Sequence, residues 1–103
     1  MRVLVIPSTY GNVHPMDISH TLESMQALVG GFIQTAPNPQ LNEQGIELIV
    51  NEEGLLMGLP PNENLWPFFY VGQAFMVGTD GEDFASLTDY QMRFAKEWLE
   101  NLD

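Results

Sequence analysis

The sequence predicts a single α+β domain over residues 1–103, with an antiparallel or mixed sheet of about five strands and two helices packed mainly on one face. Short apolar segments with the residue types of β-strands recur along the chain, beginning at Arg2–Ile6. Two amphipathic segments with the helical period lie at Thr21–Val29 and after Thr88. A chain of 103 residues can bury one core without disulfides or metals, and no linker or repeat divides it.

Three strands are predicted in the first part of the chain. Arg2–Ile6 is continuously apolar and rich in β-branched residues, which is typical of a central strand. Val13–Ile18 predicts a weaker second strand, and Pro15 confines it to a sheet edge because proline donates no backbone hydrogen bond. Phe32–Thr35 predicts a third strand, and the two prolines in Ala36–Gln40 predict a loop after it.

Capping signals delimit the two predicted helices. The first begins after Thr21 or Ser19, which are good N-cap residues, and ends at Gly30. In the second, Thr88 and Gln91 have the spacing of a capping box. Its apolar stripe contains Phe94, Ala95, Trp98, Leu99 and Leu102.

A β-hairpin is predicted in the middle of the chain. The alternation of apolar residues in Ile46–Val50 indicates a strand with one buried face. Asn51–Gly54 contains the residue types that a tight reversal needs, and Leu55–Met57 predicts the returning strand. Glu52 and Glu53 would then lie at the tip of the hairpin.

A proline-rich loop and an aromatic strand are predicted to follow this hairpin. Pro60–Pro61 restricts the backbone of the loop, which ends with Asn62 and Trp66. Phe68–Val77 is long and apolar enough for a central strand, and Gly72 in its middle predicts a bulge or a close approach of another backbone. Trp66 lies outside this strand, so we expect it to be partly exposed and available for an interface.

The charge of the chain is strongly unbalanced. Fourteen carboxylates face three basic residues, and the formal net charge is −11. Such a surface repels anions, so direct binding to nucleic acid or to an anionic membrane is disfavoured. It attracts proteins with basic surfaces, including proteins whose own basic groove holds DNA or RNA.

The absence of cysteine excludes disulfides, thiolate catalysis and cysteine-ligated zinc. The apolar start of the chain is shorter than the core of a signal peptide, and no apolar run reaches the length of a membrane span. We therefore expect a cytoplasmic protein whose first strand is buried.

Carboxylates are the main candidates for chemistry. Glu52 and Glu53 are adjacent, and acid–base catalysis by a carboxylate pair needs a pocket that raises one pKa. A solvated turn, or a recognition surface, explains them more simply. The turn Gly78–Asp83 contains Asp80, Glu82 and Asp83, but its glycine does not have the EF-hand position, so an acidic turn is favoured over a calcium site.

The remaining candidate residues match no established catalytic or cofactor motif. His14 and His20 lack the partners of a zinc site or of a histidine-assisted nucleophile. The glycines form neither a P-loop nor a dinucleotide fingerprint, and the serines do not lie in a nucleophile elbow. We predict no cofactor, no metal and no enzymatic activity.

Several short motifs occur in an order that resembles a known family. They include Asn51-Glu52-Glu53-Gly54, Gly58-Leu59-Pro60-Pro61-Asn62 and Gly78-Thr79-Asp80-Gly81-Glu82-Asp83-Phe84. The chain resembles the family catalogued as domain of unknown function 3846, carried by bacteriophages, conjugative elements and bacteria. The resemblance implies a small accessory protein of a mobile element, of the kind used against host defences, and it implies no catalytic residue.

Charge and resemblance together predict a non-enzymatic counter-defence inhibitor that binds a basic protein of the bacterial host, such as a defence nuclease. The predicted contact residues are Glu52, Glu53, Asn62, Trp66, Asp80, Glu82 and Asp83. The alternative is a homo-oligomeric sponge that sequesters a small nucleotide signal, although such a pocket usually needs basic residues. A hydrolase is disfavoured because no nucleophile and base are paired in the sequence.

Overall fold

The computed structural model describes residues 1–102, in which six strands and three helices are present. The strands are β1 (Arg2–Ile6), β2 (His14–Asp17), β3 (Ile33–Ala36), β4 (Ile46–Asn51), β5 (Ala74–Asp80) and β6 (Asp83–Ala85). The helices are α1 (Leu22–Val29), α2 (Pro39–Asn42) and α3 (Asp89–Glu100), and a 3-10 turn spans Glu63–Leu65.

The strands form one antiparallel sheet in the order β2-β1-β5-β4-β3, and β6 pairs with the last residues of β5. Strand β5 is central because Met76 is opposite Leu4 of β1 on one side and Leu48 of β4 on the other. The predicted fold class, a single α+β domain with an antiparallel sheet of about five strands, is confirmed. Strand β2 lies at an edge of the sheet, the position predicted for it because Pro15 has no backbone N–H to donate.

The two faces of the sheet are covered by different helices. Alternation along β1 sends Val3 and Val5 into one cluster with Met25 and Val29 of α1. The intervening residues of β1 and Trp98 of α3 belong to the other cluster. The expectation that both helices pack mainly on one face is therefore wrong. Strand β1 is apolar on both faces, so it needs a helix on each side.

The predicted caps of the long helices are present. The Thr21 hydroxyl accepts from the Ser24 backbone N–H at 3.2 Å, and α1 ends at Gly30 in the left-handed conformation. In α3, the Thr88 hydroxyl accepts from the Gln91 N–H at 3.1 Å, while the Gln91 side chain accepts from the Thr88 N–H at 2.9 Å. These reciprocal bonds are the predicted capping box.

The middle of the chain differs from the predicted hairpin. The neighbours of β4 are β3 and β5, so Leu55–Met57 finds no free edge of β4 to pair with. Residues 52–58 form successive turns instead, closed by bonds such as Met57 N–H to Glu53 O at 2.9 Å. The predicted returning strand is therefore wrong, and Glu52 and Glu53 lie in a turn at the end of β4.

Two other segments also differ from the predictions. The strand predicted from Phe68 begins only at Ala74, because Gly72 adopts a φ of +79° that interrupts an extended chain. The segment predicted as a proline loop contains the short helix α2, with Asn38 as N-cap and Pro39 in its first turn. Proline is well suited to that position because the first helical N–H has no partner within the helix.

Candidate functional site

The candidate site lies at the end of the sheet where β1 and β4 finish and β5 begins. Residues 7–12 and 52–72 form its loops, and we call this region the loop end. The opposite end of β5 carries the turn into β6, and we call residues 78–83 the hairpin end. The seven residues of β5 separate the two ends by about 20 Å.

A buried asparagine fixes the long loop onto the sheet. Asn62 is 2% exposed, and its amide nitrogen donates to Ile6 O at 3.0 Å and to Gly72 O at 2.9 Å. Its side-chain oxygen accepts from the Asn64 N–H at 3.0 Å. All of these groups are thus paired away from water, so the bonds specify one loop conformation.

The next two residues fix the loop after β1. The Asn64 amide nitrogen contacts the Pro7, Thr9 and Gly11 carbonyls at 2.8–3.1 Å. A Glu63 carboxylate oxygen accepts from the Tyr10 N–H at 2.9 Å. Two loops distant in sequence are therefore joined by polar side chains.

A second buried asparagine organises the turn after β4. The Asn51 amide donates to Val29 O at 3.0 Å, and its oxygen accepts from the Glu53 N–H at 2.7 Å. Gly54 follows in close contact with Val71, because an added Cβ at Gly54 would lie 2.7 Å from a Val71 methyl. The Asn-Glu-Glu-Gly motif is thus a structural turn whose two glutamates remain exposed.

The aromatic residues after the 3-10 turn form two contacting groups. Phe68 stacks on Trp98 with ring centroids 5.8 Å apart, and Tyr70 stacks on Phe68 at 6.0 Å. Trp66 and Phe69 point away from that stack and meet each other edge to face at 5.8 Å. A cis bond joins Trp66 to Pro67 between these two groups.

The loop end exposes large apolar side chains. Tyr10 is 75% exposed, Trp66 60% and Phe69 86%, while two neighbouring leucines reach similar values, Leu55 81% and Leu56 88%. Tyr10, Leu55, Trp66 and Phe69 line one open groove of about 670 Å³. A second groove of about 490 Å³ adjoins it, and Leu55, Leu56 and Phe69 line it together with Glu52 and Glu53.

The carboxylates at the loop end lie around these apolar side chains. Glu52 and Glu53 are exposed at the border of the second groove, and Glu63 is exposed in the first. Lys96 of α3 and Glu100 line an adjoining groove of about 370 Å³, which shares Tyr10, Glu63 and Trp66 with the first groove. The loop end is therefore an apolar surface with a mainly acidic rim.

The structure brings only some of the predicted contact residues together. Glu52, Glu53 and Trp66 are exposed at the loop end, whereas Asp80, Glu82 and Asp83 are exposed at the hairpin end. Asn62 is buried, so it supports the loop and is not accessible to a partner in this conformation. The exposed residues Tyr10, Leu55, Leu56 and Phe69 were not among the predicted set.

A sequence signal for the missed residues exists at Leu55–Met57. Three consecutive apolar residues lack the alternation of a half-buried strand, and they follow Gly54 in the turn after β4. Tyr10 and Phe69 carry no such signal, because phenylalanine is usually buried and tyrosine has no strong preference for the surface.

The remaining polar residues form no cluster of comparable interest. His14 and His20 are exposed, and the His14 ring Nδ1 contacts Asn12 O at 2.6 Å. Within residues 1–102, no three histidine or acidic side chains are arranged to hold a metal ion. Over the same range, no helix has the length and apolar character needed to cross a membrane.

One ion pair forms in the described part of the chain, away from the loop end. The Arg2 guanidinium donates to the Asp89 carboxylate at 2.7 Å. This hydrogen bond, and then the positive charge of Arg2, lowers the pKa of Asp89 below its ordinary value.

Comparison with known proteins identifies the family but no activity. Curated proteins and solved structures give no match to the chain. The family model described as Domain of unknown function (DUF3846) matches residues 1–102, which include every element and both ends of the sheet. The chain therefore belongs to the DUF3846 family, as its motifs predicted.

Proposed function

We propose that this protein acts by binding another protein through the loop end, without catalysis, and that the partner presents a basic surface. The group of exposed apolar side chains at the loop end carries the proposal. Contact with water is unfavourable for an apolar surface of this kind, so covering it with a partner stabilises the complex. A polar rim around such a surface is typical of protein interfaces. Aromatic residues at the centre of such a surface commonly contribute most of the binding energy.

The charge of the chain supports a basic partner. The formal net charge is −11, and the guanidinium of Arg2 is already paired with Asp89 at 2.7 Å. Glu52, Glu53 and Glu63 surround the apolar side chains, so an approaching basic surface would be attracted and oriented at the same place.

The biological setting of the proposal rests on the family resemblance. The resemblance implies a protein of a mobile element, and a defence nuclease of the bacterial cytoplasm would present a basic groove to the loop end. Counter-defence inhibition is therefore the role we propose. We favour a protein partner over the nucleotide sponge, because the loop-end grooves contain a single basic side chain, Lys96, among the residues described. Arg93 lies outside these grooves, and Arg2 is paired with Asp89.

Capture of partners from a lysate of the bacterium that carries the gene tests the proposal. The wild-type protein should retain a basic protein, and purified partner should bind more weakly as the ionic strength rises. The double variant Leu55→Ser and Phe69→Ser should lower the affinity at least about tenfold, because it removes two apolar contacts of the interface.

The matched control for this test is Tyr90→Ser on α3. Tyr90 is an exposed aromatic residue outside the loop end, so its replacement should leave the affinity unchanged. The proposal would be contradicted if neither salt nor the loop-end double variant changed the affinity. It would also be contradicted if Tyr90→Ser lowered the affinity as much as the double variant does.

A further inference from the structure

The first groove of the loop end combines aromatic rings with one carboxylate. Five aromatic side chains line it, and Glu63 supplies the carboxylate among its lining residues. Its volume of about 670 Å³ exceeds that of any single side chain, so it can admit one anchor residue of a partner together with flanking backbone.

The ring geometry forms a corner in this groove. The planes of Trp66 and Phe69 meet at 85° with their centroids 5.8 Å apart, so the two rings make adjoining walls. Tyr10 lines the same groove, and its backbone N–H donates to one Glu63 oxygen at 2.9 Å. The backbone of the third aromatic residue is thus bonded to the carboxylate.

A guanidinium group matches this combination better than other side chains. It is planar and weakly hydrated, it stacks on aromatic faces, and its N–H groups bind a carboxylate. An ammonium group is more strongly hydrated and therefore loses more on entering an apolar groove. A neutral apolar anchor would desolvate the Glu63 carboxylate without giving it a cation.

We propose that an arginine side chain of the protein partner anchors in the groove of Tyr10, Trp66 and Phe69 and pairs with Glu63. The inference rests on the proposed function, because it specifies the partner residue that the loop end recognises. The acidic charge of the whole chain favours the approach of this residue, and the aromatic corner selects arginine over lysine.

Titration of the full chain with short capped peptides tests the inference. Three peptides carry arginine, lysine or citrulline at the centre of the same glycine sequence. Proton–nitrogen NMR should show a saturable shift of the Trp66 indole N–H with the arginine peptide and at least about fivefold weaker binding of the citrulline peptide. The indole of Trp98 is an internal control, since it is buried and donates to Gln40 at 2.8 Å.

Variants separate the two parts of the site. Trp66→Ala should weaken the binding of the arginine peptide at least about fivefold, measured by the shift of the Tyr10 amide. Glu63→Gln should weaken it about threefold, and its amide oxygen can still accept from Tyr10. Tyr90→Ala should have no effect, because Tyr90 lies outside the groove.

The outcomes distinguish this inference from the proposed function. Three results would overturn the arginine anchor alone: no saturable shift, binding of the lysine or the citrulline peptide equal to that of the arginine peptide, or an equal loss of binding in Tyr90→Ala. Binding through the loop end would then depend on the capture experiment. If the arginine peptide binds specifically but the lysate yields no basic partner, the proposed function is contradicted instead.

Discussion

The loop end and the hairpin end of the sheet are built on the same central strand, but they distribute polar and apolar groups in opposite ways. The loop end buries the amides of Asn51 and Asn62 and exposes large apolar side chains. The hairpin end exposes Asp80, Glu82 and Asp83, while Phe84 of β6 is partly buried against the α1 face of the core.

The difference has a physical explanation. Loops are usually held by burying their own apolar side chains, which leaves few of these for contact with a partner. At the loop end, Leu65 is buried in the core, and buried amide hydrogen bonds to Ile6, Gly72 and Val29 fix the backbone further. Other apolar side chains of the loop can therefore face outward from a fixed backbone, which lowers the entropy cost of binding.

The largest expected effect comes from removing one buried amide. Asn62→Ala leaves the Ile6 and Gly72 carbonyls without their side-chain donor, and it should lower the free energy of unfolding by about 2 to 4 kcal/mol. Urea denaturation followed by far-UV circular dichroism measures this change.

Asn101→Ala is the matched control for the buried amide. The Asn101 amide also donates to a backbone carbonyl, that of Glu97 at 2.8 Å, but this bond is exposed to solvent. The control should cost about 0.5 kcal/mol or less. Equal losses in the two variants would mean that the buried amide does not hold the loop end.

Replacement of a glycine by alanine should destabilise the two ends for different reasons. An alanine at Gly54 would place its Cβ 2.7 Å from a Val71 methyl, so Gly54→Ala should cost about 1 to 3 kcal/mol. Gly81 at the hairpin tip has open space but a φ of +64°, so Gly81→Ala should cost about 1 kcal/mol through backbone strain.

Second substitutions test the two causes separately. Val71→Ala should recover part of the stability lost in Gly54→Ala because it removes the clashing methyl group. Gly81→Asn should be milder than Gly81→Ala because asparagine tolerates the left-handed conformation. Thermal unfolding midpoints measure these changes. The assignments would be contradicted if Val71→Ala recovered no stability in Gly54→Ala, or if Gly81→Asn lowered the midpoint as much as Gly81→Ala.

The sequence predicted the regular elements better than it predicted the loop end. Strands β1, β2 and β4, and helices α1 and α3, follow from periodicity and caps that act over a few residues. The returning strand at Leu55–Met57 was wrong because β3 and β5 already occupy both edges of β4, and a local pattern does not report this competition.

The candidate site was only partly predictable for the same reason. Glu52, Glu53 and Trp66 are exposed together, whereas Asp80, Glu82 and Asp83 are separated from them by the length of β5. Asn62 was identified as part of a motif, but its burial depends on contacts with Ile6, 56 residues away. Long-range hydrogen bonds of this kind have no signature in local composition.

The smallest expected effect uses pH to distinguish the buried amides of the loop end from the Arg2–Asp89 ion pair. Asn62 makes neutral amide hydrogen bonds, whereas Arg2 and Asp89 form an ion pair where α3 begins, near the start of β1. The pKa of Asp89 is lowered in the folded protein, so the pair stabilises the fold above the ordinary value of 3.8. This contribution is lost as the pH falls through the lowered folded-state pKa.

Comparison of wild type with Asp89→Asn across this range measures the contribution of the ion pair. The difference in urea midpoint should be small but present at about pH 6, and it should shrink towards zero in acid as Asp89 of the wild type is protonated. The corresponding difference for Asn62→Ala should persist over the same range, because the asparagine amide does not titrate. A difference for Asp89→Asn that grows in acid would have the wrong sign for an ion pair, and one that does not change would mean that Arg2 contributes no charge-dependent stability.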